Sequence, residues 1–194
     1  MLTFIYSTVN SGKSANLIMR AHSCMERGIE HRILVPEVAQ DRDGKSKVAS
    51  RTGFSQKALT LRADQDPFQI ITQEVSFRTS LDQDKALQVV FVDEAQFLTR
   101  SQILGLTRIT DLLELPVFAY GLRTDFKGEP FEGSKYLLAW ADQIEEVATF
   151  SVGSSNKATF NMKVDGKGER VCSGHSIDPG FGYLPVSRKT FGLK

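Results

Sequence analysis

Cysteine is almost missing from this chain of 194 residues: it has two, Cys24 and Cys172. Two thiols that far apart make no disulfide framework, which excludes the small stapled folds of secreted proteins and fits a reducing compartment. Histidine is scarce too, with three residues. His22 and His31 have no cysteine or carboxylate spaced to join them in a metal site, and Cys172 with His175 has ligand-like spacing but no second pair. A surplus of charge is also lacking, since 24 Lys and Arg stand against 23 Asp and Glu. Such a balance argues against a polyanion-binding surface, so a nucleic-acid partner is not expected. No apolar run approaches the ~20 residues of a membrane-spanning helix. The motif described next begins at Ser7, which leaves no room ahead of it for a cleavable signal. The expectation is a cytoplasmic protein without a membrane or nucleic-acid partner, long enough for one full core and a small appendage.

The informative stretch is Ser7-Thr8-Val9-Asn10-Ser11-Gly12-Lys13-Ser14. An apolar run precedes it (Leu2, Phe4, Ile5, Tyr6) and apolar residues at helical spacing follow (Ala15, Leu17, Ile18, Ala21, Met25). It therefore sits where a strand turns into a helix, the context a phosphate-binding loop requires. Turn amides and the helix N-terminus aim donors at phosphate, Lys13 adds a mobile positive charge, and Ser14 offers a hydroxyl to magnesium. Gly28 stands where the helix should stop with a left-handed cap.

Further along, Ile33-Leu34-Val35 before Pro36 predicts a second buried strand, and the polar stretch from Glu37 to about Gln56 predicts a long loop. A weak strand is expected near Leu59 to Leu61 and a helix between Pro67 and Thr79. Val89-Val90-Phe91-Val92 is an uninterrupted apolar strand that ends directly in Asp93-Glu94-Ala95-Gln96-Phe97. In a parallel sheet the ligand site lies beyond the carboxyl ends of the strands, which puts these acids beside the phosphate loop. One carboxylate there can hold magnesium, and the other can take a proton or orient a nucleophile. A helix over Ser101 to Leu113, a strand over Pro116 to Gly121, a helix over Ser134 to Ala141 and a strand over Gln143 to Thr149 complete the alternation. Together they predict an α/β fold of the P-loop NTPase type, a mainly parallel sheet flanked by helices. Phe126 and Phe131 lie in a turn-rich segment and look exposed; their spacing suits stacking on a planar base or packing the loop down. Beyond about Phe150 the composition shifts, and Ala158 to Val164 with Glu169 to Cys172 reads as a hairpin around Asp165-Gly166-Lys167-Gly168, followed by a loop over Ser173 to Tyr183. The expected division is a P-loop nucleotide-binding domain over 1–149 and a small C-terminal hairpin domain over 150–194.

As a set these residues resemble the compact, cytosolic-type thymidine kinases, particularly bacterial and bacteriophage members. The resemblance spans nearly the whole chain. It rests on Ser7 to Ser14, Asp41-Arg42, Ser50-Arg51-Thr52-Gly53, Phe91-Val92-Asp93-Glu94-Ala95-Gln96-Phe97-Leu98, Tyr120-Gly121-Leu122-Arg123-Thr124-Asp125-Phe126, Gly133-Ser134-Lys135-Tyr136-Leu137-Leu138-Ala139 and Tyr183. The resemblance implies transfer of the ATP γ-phosphate to the 5′-hydroxyl of thymidine, usually by a homotetramer inhibited by dTTP. It implies that Ser7 to Ser14 and Asp93 to Gln96 bind ATP, that Ser14 and Asp93 serve magnesium, and that Glu94 is the general base. It assigns Val9, Phe97, Leu122, Phe126, Phe131 and Tyr183 to the thymidine pocket, under a late loop called the lasso.

The departures from the family pattern are equally specific. Val9 stands where the family usually has methionine, and Gln40-Asp41-Arg42 where it has Asp-x-Arg. The family's structural zinc is held by two cysteine pairs, but the corresponding segments here read Phe150-Ser151-Val152-Gly153-Ser154-Ser155 and Val186-Ser187-Arg188-Lys189-Thr190. No zinc is expected. Two other readings remain open from sequence: a nucleotide-binding regulatory or structural protein that kept the fold and lost turnover, and a nucleic-acid-dependent ATPase.

Overall fold

The structure, a computed structural model, describes residues 1–39, 46–51, 53–81, 86–175 and 181–193. Strands β1 (Leu2–Ser7), β2 (His31–Pro36), β5 (Leu59–Leu61), β6 (Val89–Val92), β7 (Val117–Leu122) and β8 (Gln143–Glu146) form one six-stranded sheet in the order β5-β2-β6-β7-β1-β8. Every adjacent pair in it is parallel. Parallel neighbours need crossover connections, and these are supplied by α1 (Lys13–Glu26), α2 (Pro67–Leu81), α3 (Arg100–Leu112) and α4 (Glu132–Trp140).

The strand residues alternate between two cores, as the period of two demands. Leu2 and Phe4 of β1, Leu34 of β2, Val90 and Val92 of β6 and Ala119 of β7 pack with Ile71, Ile103, Leu106, Ile109 and Leu137 from α2, α3 and α4. Their neighbours Ile5, Ile33, Val89, Phe91 and Tyr120 pack with Leu17, Ile18 and Ala21 of α1. Each side chain removed from water contributes about 1.5–3 kcal/mol of transfer free energy. All four residues of β6 are buried, which is why its apolar run is unbroken.

Three expectations need correction. The polar stretch after β2 is not a plain loop: it holds a 3₁₀ turn (Glu37–Ala39) and an antiparallel hairpin of β3 (Lys47–Ala49) and β4 (Ser55–Lys57). Only Val48 of this hairpin is buried in the core, so it carried no hydrophobic period to read. Gln40, Asp41 and Arg42 lie outside the described residues. The second correction concerns the late hairpin. β9 (Phe160–Val164) pairs along its whole length with β10 (Gly182–Val186), not with 169–172. The turn over Asp165 to Gly168 forms, with Asp165 Oδ1 accepting the Lys167 and Glu169 amides at 2.9 Å each. The strand after it contributes only an isolated bridge, Val164 to Arg170, and one further bond, Val171 N–H to Lys163 O at 2.8 Å. Apolar Leu184, Pro185 and Val186 make the better partner, but glycines and a proline just upstream disguised that strand as loop, and Gly182 and Tyr183 belong to it. Third, β8 stops at Glu146 rather than running on to Thr149. The chain closes with a short helix, α5 (Arg188–Phe191), whose Phe191 stacks on Phe160 with centroids 4.5 Å apart.

Candidate active site

The carboxyl ends of β1, β6 and β7 bring the site together. β1 ends at Ser7, whose Oγ donates to Val147 O just beyond β8. The loop then turns through two left-handed residues, Asn10 (φ 59°) and Gly12 (φ 85°), before α1 begins at Lys13. Asparagine and glycine tolerate that region best, which is why the chain can turn this sharply between β1 and α1. Lys13 is only 8% exposed; its Nζ donates to Thr8 O at 2.7 Å and Ser11 Oγ at 3.4 Å, closing the loop on itself. Burial pushes the Lys13 ammonium below its usual pKa, while the carboxylates of Glu94 and Asp93 oppose that shift.

Asp93 and Glu94 arrive where sequence put them. Asp93 is 5% exposed, and Ser14 Oγ donates to its Oδ2 at 3.0 Å. Burial raises its pKa to about 7, with repulsion from Glu94 adding to the rise and Ser14, the Glu94 amide and Lys13 opposing it. Such a hydroxyl and carboxylate form the hard-oxygen pair that suits magnesium, whose charge would compensate a carboxylate that is costly to ionise alone. Among the described residues no group of three or more His, Cys, Asp or Glu could hold a metal. Glu94 itself takes a left-handed backbone (φ 52°, ψ 36°), a strained geometry for a residue with a Cβ. This bend starts the 3₁₀ turn Ala95–Phe97, against which α4 packs. Gly133 allows the close approach: a Cβ there would lie 2.4 Å from Ala95 O. Of the four residues Asp93 to Gln96, three are buried and Glu94 is half-buried; Asp93 and Glu94 are the two that carry an ionisable group.

The expected nucleoside residues are only partly brought together. Phe97 and Phe131 meet edge to face with centroids 5.4 Å apart. Phe126 was expected to be exposed and is instead 2% exposed; the Lys163 ammonium sits 4.8 Å from its ring centroid and 4.3 Å from that of Phe181. Tyr183 lies opposite Lys163 in the β9–β10 register, hence on the same face of the hairpin. Leu122 presents its backbone, donating its amide to Gln96 Oε1 at 3.1 Å. The Val9 amide is engaged by Asn161 Oδ1 at 2.8 Å, and Asn161 Nδ2 donates in turn to Thr124 O at 3.2 Å.

Asn161 and Lys163 are thus residues that sequence reading passed over. The alternation Phe160-Asn161-Met162-Lys163 was the available signal, because it turns both polar side chains to one face. Nor did the sequence show what joins the two segments where cysteine pairs were missing. Ser151 Oγ accepts the Ser187 amide at 3.0 Å, and Val152 N–H donates to Pro185 O at 2.9 Å.

Comparison with known proteins agrees with this geometry. The family model for thymidine kinase matches residues 1–191. A thymidine kinase of Coxiella burnetii is 42% identical over 194 residues, covering 99% of this chain and 95% of that protein. One from Pasteurella multocida is 43% identical over 189 residues, 96% of this chain and 94% of that protein. Another, from Xanthomonas axonopodis pv. citri, is 42% identical over 192 residues, with 98% and 88% covered. With a family match of this extent over a parallel sheet that carries Lys13, Ser14, Asp93 and Glu94 at its carboxyl edge, this chain belongs to the thymidine kinase family.

Proposed function

We propose that this chain transfers the γ-phosphoryl group of ATP to the 5′-hydroxyl of thymidine, giving dTMP, with Glu94 as the general base. The observation that carries the reading is the meeting of Ser14 and Asp93 at 3.0 Å, with Glu94 next in line and Lys13 beside both. The residues Ser7 to Ser14 cradle the phosphates, and the Lys13 ammonium balances charge that moves toward the leaving oxygen. Ser14 and Asp93 would hold magnesium, which when bound neutralises phosphate charge. Glu94 accepts the proton of the 5′-hydroxyl as the new O–P bond forms, and the β–γ bond breaks to leave ADP. Phe97, Phe131, Leu122, Val9, Phe126 and Tyr183 bound the nucleoside site, with Phe126 acting as a buried wall.

The same reading takes residues 150–194 as a small C-terminal domain without structural zinc. The Ser151–Ser187 bond supports it, since it joins the two segments where the family's cysteine pairs would lie. The protein works in the cytoplasm as a homotetramer inhibited by dTTP. Incubation of the purified protein with labelled ATP and each nucleoside in turn tests the reading. Label should pass to thymidine; ATP hydrolysis stimulated by DNA without transfer, or nucleotide binding without turnover, would replace it.

A further inference from the structure

Gln96 is 1% exposed, and both ends of its amide are committed. Oε1 accepts the Leu122 amide at 3.1 Å, and Nε2 donates to Oε2 of Glu94. The orientation is forced: a backbone N–H can only donate, so the end facing Leu122 must be oxygen and the NH₂ must face the carboxylate. Among the described residues no other donor reaches that carboxylate. Leu122 is itself held from the other side, since the buried Ser134 hydroxyl donates to its carbonyl. Gly121 makes room for the arrangement: a Cβ there would lie 2.8 Å from Gln96 Oε1 and 3.1 Å from its backbone nitrogen.

Glu94 needs such a support. It is half-buried, it has three side-chain torsions, and it stands on a left-handed backbone at the head of a 3₁₀ turn only three residues long. A general base must lie within about 2.6–3.2 Å of the proton it takes. A misplacement of about 1 Å can cost ~10²-fold in rate.

We propose that Gln96 is a positioning residue for phosphoryl transfer: anchored on Leu122 at the end of β7, it holds the Glu94 carboxylate at the angle from which it accepts the nucleoside proton. Gln96 thus acts through Glu94. The proposal rests on the reading of Glu94 as general base.

The test is a double-mutant cycle on the full-length enzyme with ATP, magnesium and thymidine. Gln96→Glu keeps an acceptor for the Leu122 amide but sets a carboxylate against Glu94; Gln96→Met removes the amide at similar volume. Each should lower kcat roughly 10- to 100-fold, with KM for ATP and thymidine within about twofold of the parent on the same scale of reasoning. Gly121→Ala, which pushes on Oε1 without altering any polar group, should give the same signature more weakly. It carries the test alone if the Gln96 variants do not fold. In a Glu94→Gln background the same changes should cost almost nothing further, because the group they position is gone. Equal proportional losses in both backgrounds, or KM values rising in step with the loss of kcat, overturn the proposal and make Gln96 a packing residue. Near-normal turnover of Glu94→Gln by itself instead removes the general-base reading, and this inference falls with it.

Discussion

The parallel sheet and the stretch from 150 to 193 are built by opposite means. In the sheet, β1, β6 and β7 bury nearly every side chain, and the polar atoms there are largely satisfied by the strand ladder. In the later stretch, buried Ser151, Asn161, Lys163 and Ser187 stand beside about as many buried apolar groups, Ala158, Val164, Val186 and Phe191. Its order rests on specific hydrogen bonds: Ser151 to Ser187, Thr159 N–H to Val186 O at 2.9 Å, and Asn161 to Val9 and Thr124. Hydrophobic burial is roughly additive and tolerant of repacking, whereas a hydrogen-bonded unit fails when one partner is lost. Lys13, Ser14, Asp93 and Glu94 sit on the tolerant part, and the less tolerant part is tied to it through Asn161.

Changes at the chemistry should have the largest effects and leave the contrast intact. Glu94→Gln should bind both substrates yet lose ~10²–10⁴ in turnover, the usual worth of a general base; steady-state kinetics with near-normal kcat would sink the assignment. Lys13→Ala should cost on the order of 10² in kcat/KM for ATP, with thymidine affinity much less changed. Equal loss for both ligands would mean that the loop had collapsed.

Stability sharpens the contrast further. Asp93, raised from 3.8 to about 7, holds its proton more tightly in the folded chain than in the unfolded one. Between those values the native state binds the extra proton, so this group's contribution to stability falls as pH rises from about 4 to 7 and is flat above. In chelator, Asp93→Asn should therefore gain on the parent over that window, by on the order of 1–4 kcal/mol at pH 8. A Tm difference that is independent of pH would refute the buried-acid account.

Ser151→Ala should leave catalysis least changed and cost about 1–3 kcal/mol of stability, because the buried Ser187 amide loses its acceptor, and it should break the comparison if the two regions are one cooperative unit. Hydrogen exchange should speed up over 151–164 and 182–191 while β1, β6 and β7 keep their protection. Uniform acceleration across the sheet would show that the later stretch does not open separately.

Sequence reading succeeded where one segment carries its own signal. Val89 to Val92 reads as buried because all four residues are buried, and Asp93-Glu94 follow directly because a parallel strand delivers its carboxyl end to the site. The Ser7 to Ser14 loop is recognisable for the same reason, since its glycine, lysine and serine are fixed by local geometry. It failed for β3 and β4, three residues each with one buried side chain between them in the core, and for the pairing of β9 with β10. Pairing is a choice among distant partners, and nothing within Phe160 to Val164 states which strand will take it.

What the sequence by itself determined is therefore the alternation of strands and helices in the parallel sheet, the Ser7 to Ser14 turn between β1 and α1, and the two acids at the end of β6, because short-range periodicity and turn chemistry are written in contiguous residues. Only the tertiary structure decided that Gln96 faces Glu94, that Asn161 grips the Val9 amide 152 residues away in the chain, and that Phe126 is buried beneath Lys163. Each of these depends on which segments of chain come to lie side by side, and a hydrogen bond or a ring contact forms only where folding has brought its two halves within a few ångströms.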